Sequence, residues 1–133
     1  MTKTLRLFSL WLPVGLWCSL IFYMSAVPFL KTELGFWDLV LRKIAHMVEF
    51  GTLFLLARRA LKNSGFGLAL KEVNLASFVF SMLYAVSDEY HQAFVPGRGP
   101  SPVDAGIDTI GITFAYIISK TLQITNFKLQ IKR

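Results

Sequence analysis

Residues 85–104 read AVSDEYHQAFVPGRGPSPVD, and this stretch determines how the rest of the chain is interpreted. Two carboxylates, a histidine and a glutamine fall between Asp88 and Gln92, at the end of a strongly apolar segment. Arg98 follows on a Pro/Gly turn, and Asp104 comes shortly after it. Ionisable side chains are costly next to lipid, so this stretch is the first candidate for a functional site.

The composition of the chain is typical of a membrane protein. Of its 133 residues, 54% are hydrophobic and 17% are charged, whereas soluble domains are about one quarter charged. The length predicts a single domain over residues 1–133. The basic residues separate apolar runs and do not form a patch with exposed aromatic residues, so nucleic acid is not expected as a partner. Cys18 is the single cysteine, which excludes an internal disulfide bond.

Four apolar segments predict an all-α integral membrane bundle of four transmembrane helices. The predicted spans cover residues 7–27, 38–61, 75–94 and 102–122. Each is close to the roughly 20 residues that a helix needs to cross a bilayer. The first span is too long for a signal peptide, and Met24-Ser25-Ala26 is a poor cleavage site, so we expect it to be retained.

The distribution of basic residues predicts the orientation of these spans. Ten fall on the side of both termini and the middle loop: Lys3, Arg6, Arg58, Arg59, Lys62, Lys71, Lys120, Lys128, Lys132 and Arg133. Four fall on the opposite side: Lys31, Arg42, Lys43 and Arg98. Because basic residues accumulate on the cytoplasmic side, both termini are expected in the cytoplasm.

This topology predicts one polar pocket in the outer half of the membrane, formed by the second, third and fourth helices. Helical periodicity places the polar residues of each helix on one side of it, at similar depth. The predicted ligand-binding residues are Lys43, His46, Glu49, Asp88, Glu89, His91, Gln92, Arg98, Ser101, Asp104 and Asp108.

The charges of this predicted pocket do not balance. Five carboxylates face Lys43 and Arg98, which leaves an excess of negative charge. Some carboxylates must therefore be protonated, exposed to water, or neutralised by a protonated histidine or a bound cation. A divalent metal held by His46 and Glu49, with Asp88 or His91 opposite, is one interpretation. A structural network of hydrogen bonds and salt bridges between helices is the other, and no cofactor is specified.

Individual residues also have structural interpretations. Asp104 and Ser101 fit the start of a helix, as a capping acid and an N-cap. Lys43 fits an interfacial lysine whose ammonium reaches water. Arg98 fits either an interfacial anchor or a clamp for the phosphate or carboxylate of a lipid-linked ligand.

Several motifs together resemble the signature of VanZ-like membrane proteins. They are Lys43-x-x-His46-x-x-Glu49-Phe50, Ser87-Asp88-Glu89-Tyr90-His91-Gln92-x-x-Val95-Pro96-Gly97-Arg98, Ser101-x-x-Asp104, Gly111, and Phe22-Tyr23-Met24-Ser25 before Pro28. The resemblance implies a small multi-pass protein of the bacterial inner (cytoplasmic) membrane. It also implies a link to reduced susceptibility to teicoplanin, since the family is named for a protein of glycopeptide-resistance gene clusters. Asp108 departs from the family pattern, which usually has asparagine there.

The expected function is binding of a lipid-linked cell-wall precursor, or of a membrane-anchored glycopeptide, in the outward pocket. Two alternatives stay open. An intramembrane hydrolase or transferase would use Glu49 or Asp88 as acid or base together with His46 or His91. A proton-coupled carrier would use the same groups as a relay.

Overall fold

Four helices make up the fold. A computed structural model of the chain describes residues 2–29, 35–99 and 101–131, and of residues 125–131 the backbone alone. The helices are α1 (Lys3–Ser25), α2 (Phe36–Asn63), α3 (Leu70–Gln92) and α4 (Pro102–Ile131). No strand occurs within these described ranges, so the all-α prediction is confirmed. Lys31, Lys132 and Arg133, which contribute to the predicted charge distribution, lie outside the described residues.

Several helices extend beyond the predicted spans. The spans were predicted from hydropathy, whereas capping interactions set the ends of a helix. α1 begins at Lys3, where the side chain of Thr2 accepts a hydrogen bond from the backbone N–H of Leu5 at 3.4 Å. α3 begins at Leu70, because Glu72 accepts a hydrogen bond from the Ala69 N–H at 2.8 Å. Such side-chain caps satisfy the free N–H groups of a first turn, even where the sequence is polar.

α2 is the central helix of the bundle and packs against the other three. Its residues Phe50, Leu53 and Phe54 have no exposed surface, and they form the core together with Ile21 of α1 and Ile112 of α4. Within the described residues, α1 and α4 do not pack against each other. α3 and α4 also pack against each other, so α2, α3 and α4 can contribute residues to one site.

α2 and α4 approach each other closely where both carry glycine. A Cβ atom added at Gly111 would overlap with the backbone of Met47. A Cβ atom added at Gly51 would lie 3.1 Å from the carbonyl oxygen of Gly111. Small residues permit such close packing in membrane helices. This contact fixes the separation of the helices immediately beside His46 and Asp108.

Residues 26–29, which follow α1, and residues 93–99, which follow α3, meet at one end of the bundle. The backbone N–H of Phe29 donates to the carbonyl of Pro96 at 3.2 Å. Gly97 has a φ of +77°, and a Cβ atom there would overlap with the ring of Phe29. Glycine satisfies both requirements, since it adopts positive φ without steric cost. We call this end of the bundle, where α2 and α4 begin and α3 ends, the polar end.

The exterior of the bundle is apolar. Phe8, Val48, Leu83 and Phe114, one from each helix, are each more than half exposed. Within the described residues, one helix, α1, is long and apolar enough to cross a membrane by length and composition, and most of it is exposed. The other three helices carry charged residues near their ends, so the four-span topology stays a prediction.

Candidate functional site

A cavity of about 230 Å³ lies at the polar end of the bundle. It is open on one side and contains both cationic and anionic groups. The ionisable and amide side chains that line it are Arg42, Lys43, His46, Gln92, Arg98, Asp104 and Asp108. Three helices and the loop before α4 therefore contribute to one cavity, which we call the main cavity.

A second cavity, of about 70 Å³, lies beside the first between α1, α2 and α3. Glu49 and Asp88 line this inner cavity and do not line the main one. The cavities share the side chains of Arg42, His46, Gln92 and Arg98. The two cavities are therefore neighbours separated by a few side chains.

Two ion pairs involve the lysine and arginine at the start of α2. Lys43 pairs with Asp104 across the interface of α2 and α4, and Arg42 pairs with Asp38 one turn earlier on α2. The side chains of Lys43 and Asp104 are about one third exposed, at 34% and 31%. Arg42 was predicted from the sequence to be an orientation signal and was not among the predicted site residues. Its position directly before Lys43 was the available indication.

Asp108 is the most deeply buried ionisable residue of the site. Its side chain has 0% exposure, and its Oδ1 lies 3.3 Å from Nδ1 of His46, which is 16% exposed. Within the described residues, neither carboxylate oxygen of Asp108 nor Nδ1 of His46 has a hydrogen-bond partner of good geometry. Buried polar atoms are nearly always hydrogen-bonded, so this arrangement needs a physical explanation.

Glu89 connects the end of α3 to the start of α4. Its Oε2 accepts a hydrogen bond from the backbone N–H of Ser101 at 3.0 Å. Its Oε1 is buried and has no hydrogen-bond partner among the described residues. Ser101 also caps α4, because its Oγ accepts a hydrogen bond from the Val103 N–H at 3.2 Å. The contacts of Ser101 are therefore those of an N-cap, as the sequence suggested.

Asp88 and Gln92 form a buried pair one turn apart on α3. Nε2 of Gln92 donates to Oδ2 of Asp88 at 2.9 Å. Glu49 and Asp88 both line the inner cavity. Trp17 of α1 donates from Nε1 to the backbone carbonyl of Glu49 at 2.9 Å, which fixes this turn of α2.

Arg98 bridges the loop before α4 to the end of α1. Its Nε donates to the carbonyl of Val27 at 3.3 Å, and its Nη2 donates to the carbonyl of Met24 at 2.8 Å. Burial, reinforced by the nearby Arg42 cation, lowers the pKa of the Arg98 guanidinium from its ordinary value. Arg98 is thus a cation oriented by backbone carbonyls at the wall shared by both cavities.

His91 is placed apart from the other predicted site residues. Its ring packs against Phe22 of α1 with centroids 4.4 Å apart, and it lines neither the main nor the inner cavity. The sequence placed His91 within the polar arc of α3, but this edge of the arc faces α1. The structure therefore does not bring His91 to the predicted acid–base group of Glu49, Asp88 and His46.

One group within the described residues has the composition and spacing of a metal site. His46, Glu89 and Asp108 each offer a ligand atom, and these atoms lie within 4.8 Å of one another. The sequence interpretation combined His46 with Glu49, Asp88 or His91 instead. Glu89 and Asp108 were in the predicted pocket. Their spacing along α3 and α4 did not show which side chains would point towards His46.

The fold and this site together define a class of protein: a small helical bundle with an apolar exterior that gathers ionisable side chains at one end. A family model described as VanZ/LLP1 matches residues 8–123 of the chain. The chain therefore belongs to the VanZ/LLP1 family, which confirms the resemblance found in its motifs. No curated protein and no solved structure matches the chain.

Proposed function

We propose that this VanZ-like protein spans the bacterial cytoplasmic membrane four times and binds an anionic, membrane-embedded ligand in its main cavity. The observation that carries the proposal is that Arg42, Lys43 and Arg98 line a single cavity at one end of an otherwise apolar bundle. Arg42 and Lys43 are held there by ion pairs, and Arg98 donates to backbone carbonyls. Guanidinium groups recognise phosphate and carboxylate through parallel hydrogen bonds, and the lysine adds a point charge.

The lengths and surfaces of the helices support four spans. Helices of 23–30 residues extend for about 35–45 Å, which exceeds the hydrocarbon thickness of roughly 30 Å. Exposed apolar side chains on every helix would be an aggregation liability in water, and in a bilayer they contact lipid.

The distribution of charge supports placing the polar end outside. At the opposite end of the bundle, Arg58 donates to Asn74 at 2.7 Å. Lys71 and Lys120 line one groove there. Most of the basic residues within the described part of the chain lie at this end, as expected for a cytoplasmic face.

The size of the main cavity indicates which part of the ligand it binds. At about 230 Å³ it is smaller than the roughly 300–1,000 Å³ pockets that enclose whole drug-sized ligands. It therefore suits an anionic headgroup whose hydrocarbon chain stays in the bilayer against the exposed apolar helices. A lipid-linked cell-wall precursor, or the anchored part of a glycopeptide such as teicoplanin, has this chemistry.

The proposal is tested by identifying the lipids that copurify with the protein. After mild extraction, mass spectrometry should find an anionic polyprenyl lipid with the wild type and much less with Arg98→Ala. Arg59→Ala is the matched control, since Arg59 is exposed at the other end of α2. Expressed in a teicoplanin-sensitive bacterium, the wild type and the control should raise the inhibitory concentration, and Arg98→Ala should not. Equal lipid retention by both variants would contradict binding at the main cavity.

A second candidate function, hydrolysis or group transfer on the same ligand, is favoured by one observation. Glu49, Asp88 and His46 line the inner cavity, which is an arrangement suited to acid–base chemistry. This candidate requires that the copurified lipid be chemically converted on incubation, and that Glu49→Gln stop the conversion while the helical content is preserved. Function that instead collapses with the proton gradient would favour the carrier alternative.

A further inference from the structure

We propose that His46, Glu89 and Asp108 bind one divalent transition-metal ion, of the Zn²⁺ or Mn²⁺ class, where α2, α3 and α4 meet. Each helix contributes one ligand, and the candidate ligand atoms lie within 4.8 Å of one another. We call this group the three-helix metal site. Metal binding here does not depend on whether the main cavity binds an anionic lipid.

The first argument is that several candidate ligand atoms are buried without a hydrogen bond. Asp108 has 0% exposure and Glu89 has 7%. Both carboxylate oxygens of Asp108, Oε1 of Glu89 and Nδ1 of His46 are buried without a hydrogen bond among the described residues. Nδ1 of His46 and Oδ1 of Asp108 lie at ion-pair distance from each other, whereas the other oxygen of Asp108 and Oε1 of Glu89 have no hydrogen bond among the described residues. Buried polar atoms are nearly always hydrogen-bonded, so these convergent atoms indicate something that they bind.

The second argument is charge. Asp104 and Asp38 are paired with Lys43 and Arg42. The remaining carboxylates that line the two cavities are Glu49, Asp88 and Asp108, and the remaining cationic side chain there is Arg98. Glu89 adds a further carboxylate close to His46 and Asp108. A divalent cation at the three-helix metal site would offset the negative charge of Glu89 and Asp108.

The third argument is geometry. Ligands about 2.1 Å from one ion in tetrahedral arrangement are about 3.4 Å apart, and Nδ1 of His46 lies 3.3 Å from Oδ1 of Asp108. Glu89 is oriented by the hydrogen bond from the Ser101 N–H to its Oε2. Outer-shell hydrogen bonds of this kind commonly hold the carboxylate ligands of metals.

The ligand set also indicates the type of metal. One imidazole with two carboxylates suits Zn²⁺, Mn²⁺ or Fe²⁺, whereas Ca²⁺ and Mg²⁺ prefer oxygen ligands alone. Because His46 and Asp108 line the main cavity, a further coordination position of the ion would face that cavity. A simple ion pair of protonated His46 with Asp108 would satisfy one carboxylate oxygen and leave Glu89 Oε1 without a partner.

The test is metal stoichiometry in detergent without added phospholipid. Protein stripped with EDTA is loaded with Zn²⁺, desalted and analysed by elemental mass spectrometry. The wild type should retain one Zn²⁺ per chain. His46→Ala, Glu89→Gln and Asp108→Asn should each weaken binding by about 100-fold or more, since even outer-shell changes cost 10–100-fold. Asp104→Asn is the matched control, because this carboxylate lies one turn away and pairs with Lys43; it should bind normally.

The wild-type result does not depend on how any variant folds. Failure of the stripped wild type to retain Zn²⁺, Mn²⁺ or Co²⁺ at equimolar concentration would overturn the proposal. So would loss of binding in Asp104→Asn together with retention in all three ligand variants. Arg98→Ala should keep its metal, which separates this result from that of the proposed lipid binding. With Co²⁺, visible absorption typical of a nitrogen ligand should appear in the wild type and disappear in His46→Ala.

Discussion

Asp104 and Asp108 lie one turn apart on α4, yet their surroundings differ completely. Asp104 is partly exposed and paired with Lys43. Asp108 is fully buried beside His46 and has no hydrogen bond among the described residues. The difference arises because Asp108 lies one turn deeper in the bundle, towards the close contact of Gly111 with α2. A carboxylate at that depth costs stability unless a cation accompanies it.

The buried charge predicts how Asp108→Asn changes thermal stability. In EDTA the variant should unfold at a higher temperature than the wild type, by the equivalent of about 1 kcal/mol, because a neutral amide costs less to bury than a carboxylate. Unfolding is followed by circular dichroism in detergent.

With Zn²⁺ added, the wild type should unfold at a higher temperature than Asp108→Asn, because the ion stabilises the folded protein that binds it. Asp104→Asn serves as the control and should lower the unfolding temperature slightly in EDTA, because partly exposed ion pairs contribute about 0–1 kcal/mol. A lower unfolding temperature for Asp108→Asn in EDTA would show that the carboxylate is already compensated within the protein.

At the scale of the elements, the contact between α2 and α4 positions the site. His46 precedes Met47 by one residue, and a Cβ atom at Gly111 would overlap with the Met47 backbone. Nδ1 of His46 and Oδ1 of Asp108 lie 3.3 Å apart. The two helices can keep this separation only if residue 111 stays small. Gly51 of α2 belongs to the same close contact, because a Cβ atom there would lie 3.1 Å from the carbonyl oxygen of Gly111.

Replacing Gly111 should separate α2 from α4. Gly111→Ala is expected to destabilise the bundle by about 1–3 kcal/mol, the usual cost of overpacking, and to weaken metal binding. Gly106→Ala is the matched control on the same helix, because nothing lies within 4 Å of a Cβ atom there; it should preserve or raise stability through better helix propensity. Unfolding temperature and Zn²⁺ stoichiometry are measured for both. Equal behaviour of the two variants would contradict the close-packed interface.

At the scale of the whole molecule, the chain separates an apolar exterior from a polar end. The cavities, the oriented Arg98 and the three-helix metal site all lie at the end where α2 and α4 begin. The opposite half contains the apolar core around Phe54 and the basic residues near Arg58. Because of this asymmetry, the proposed function requires that the polar end face the outside of the cell.

Cysteine labelling tests that orientation. In a Cys18→Ala background, Gly99→Cys in the loop before α4 should react with a membrane-impermeant maleimide on intact cells. Asn63→Cys, at the exposed end of α2, should react only after the cells are permeabilised. The expectation follows from the proposed topology, in which both termini and the middle loop are cytoplasmic. The reverse pattern would place the cavities inside, and labelling of both sites on intact cells would contradict the four spans.

The sequence predicted the number and type of the helices, and for α4 even the first residue. These features depend on local properties: runs of apolar residues, and the Ser101-Pro102 start with its N-cap hydrogen bond. The other helix bounds differ from the predicted spans, most of all at the end of α4, which continues to Ile131. Hydropathy predicts which segment contacts lipid and does not predict where a polar turn begins or ends a helix.

The sequence by itself determined which ionisable residues end up near each other, because a helical period and short connections place them at the same end of the bundle. Only the tertiary structure decided which of them meet: His46 with Asp108 and Glu89, Lys43 with Asp104, and His91 with Phe22 instead of the cavities. The reason is that rotation and separation of packed helices are set by contacts between distant residues, such as Gly111 against Met47. Spacing along one helix contains no information about those contacts.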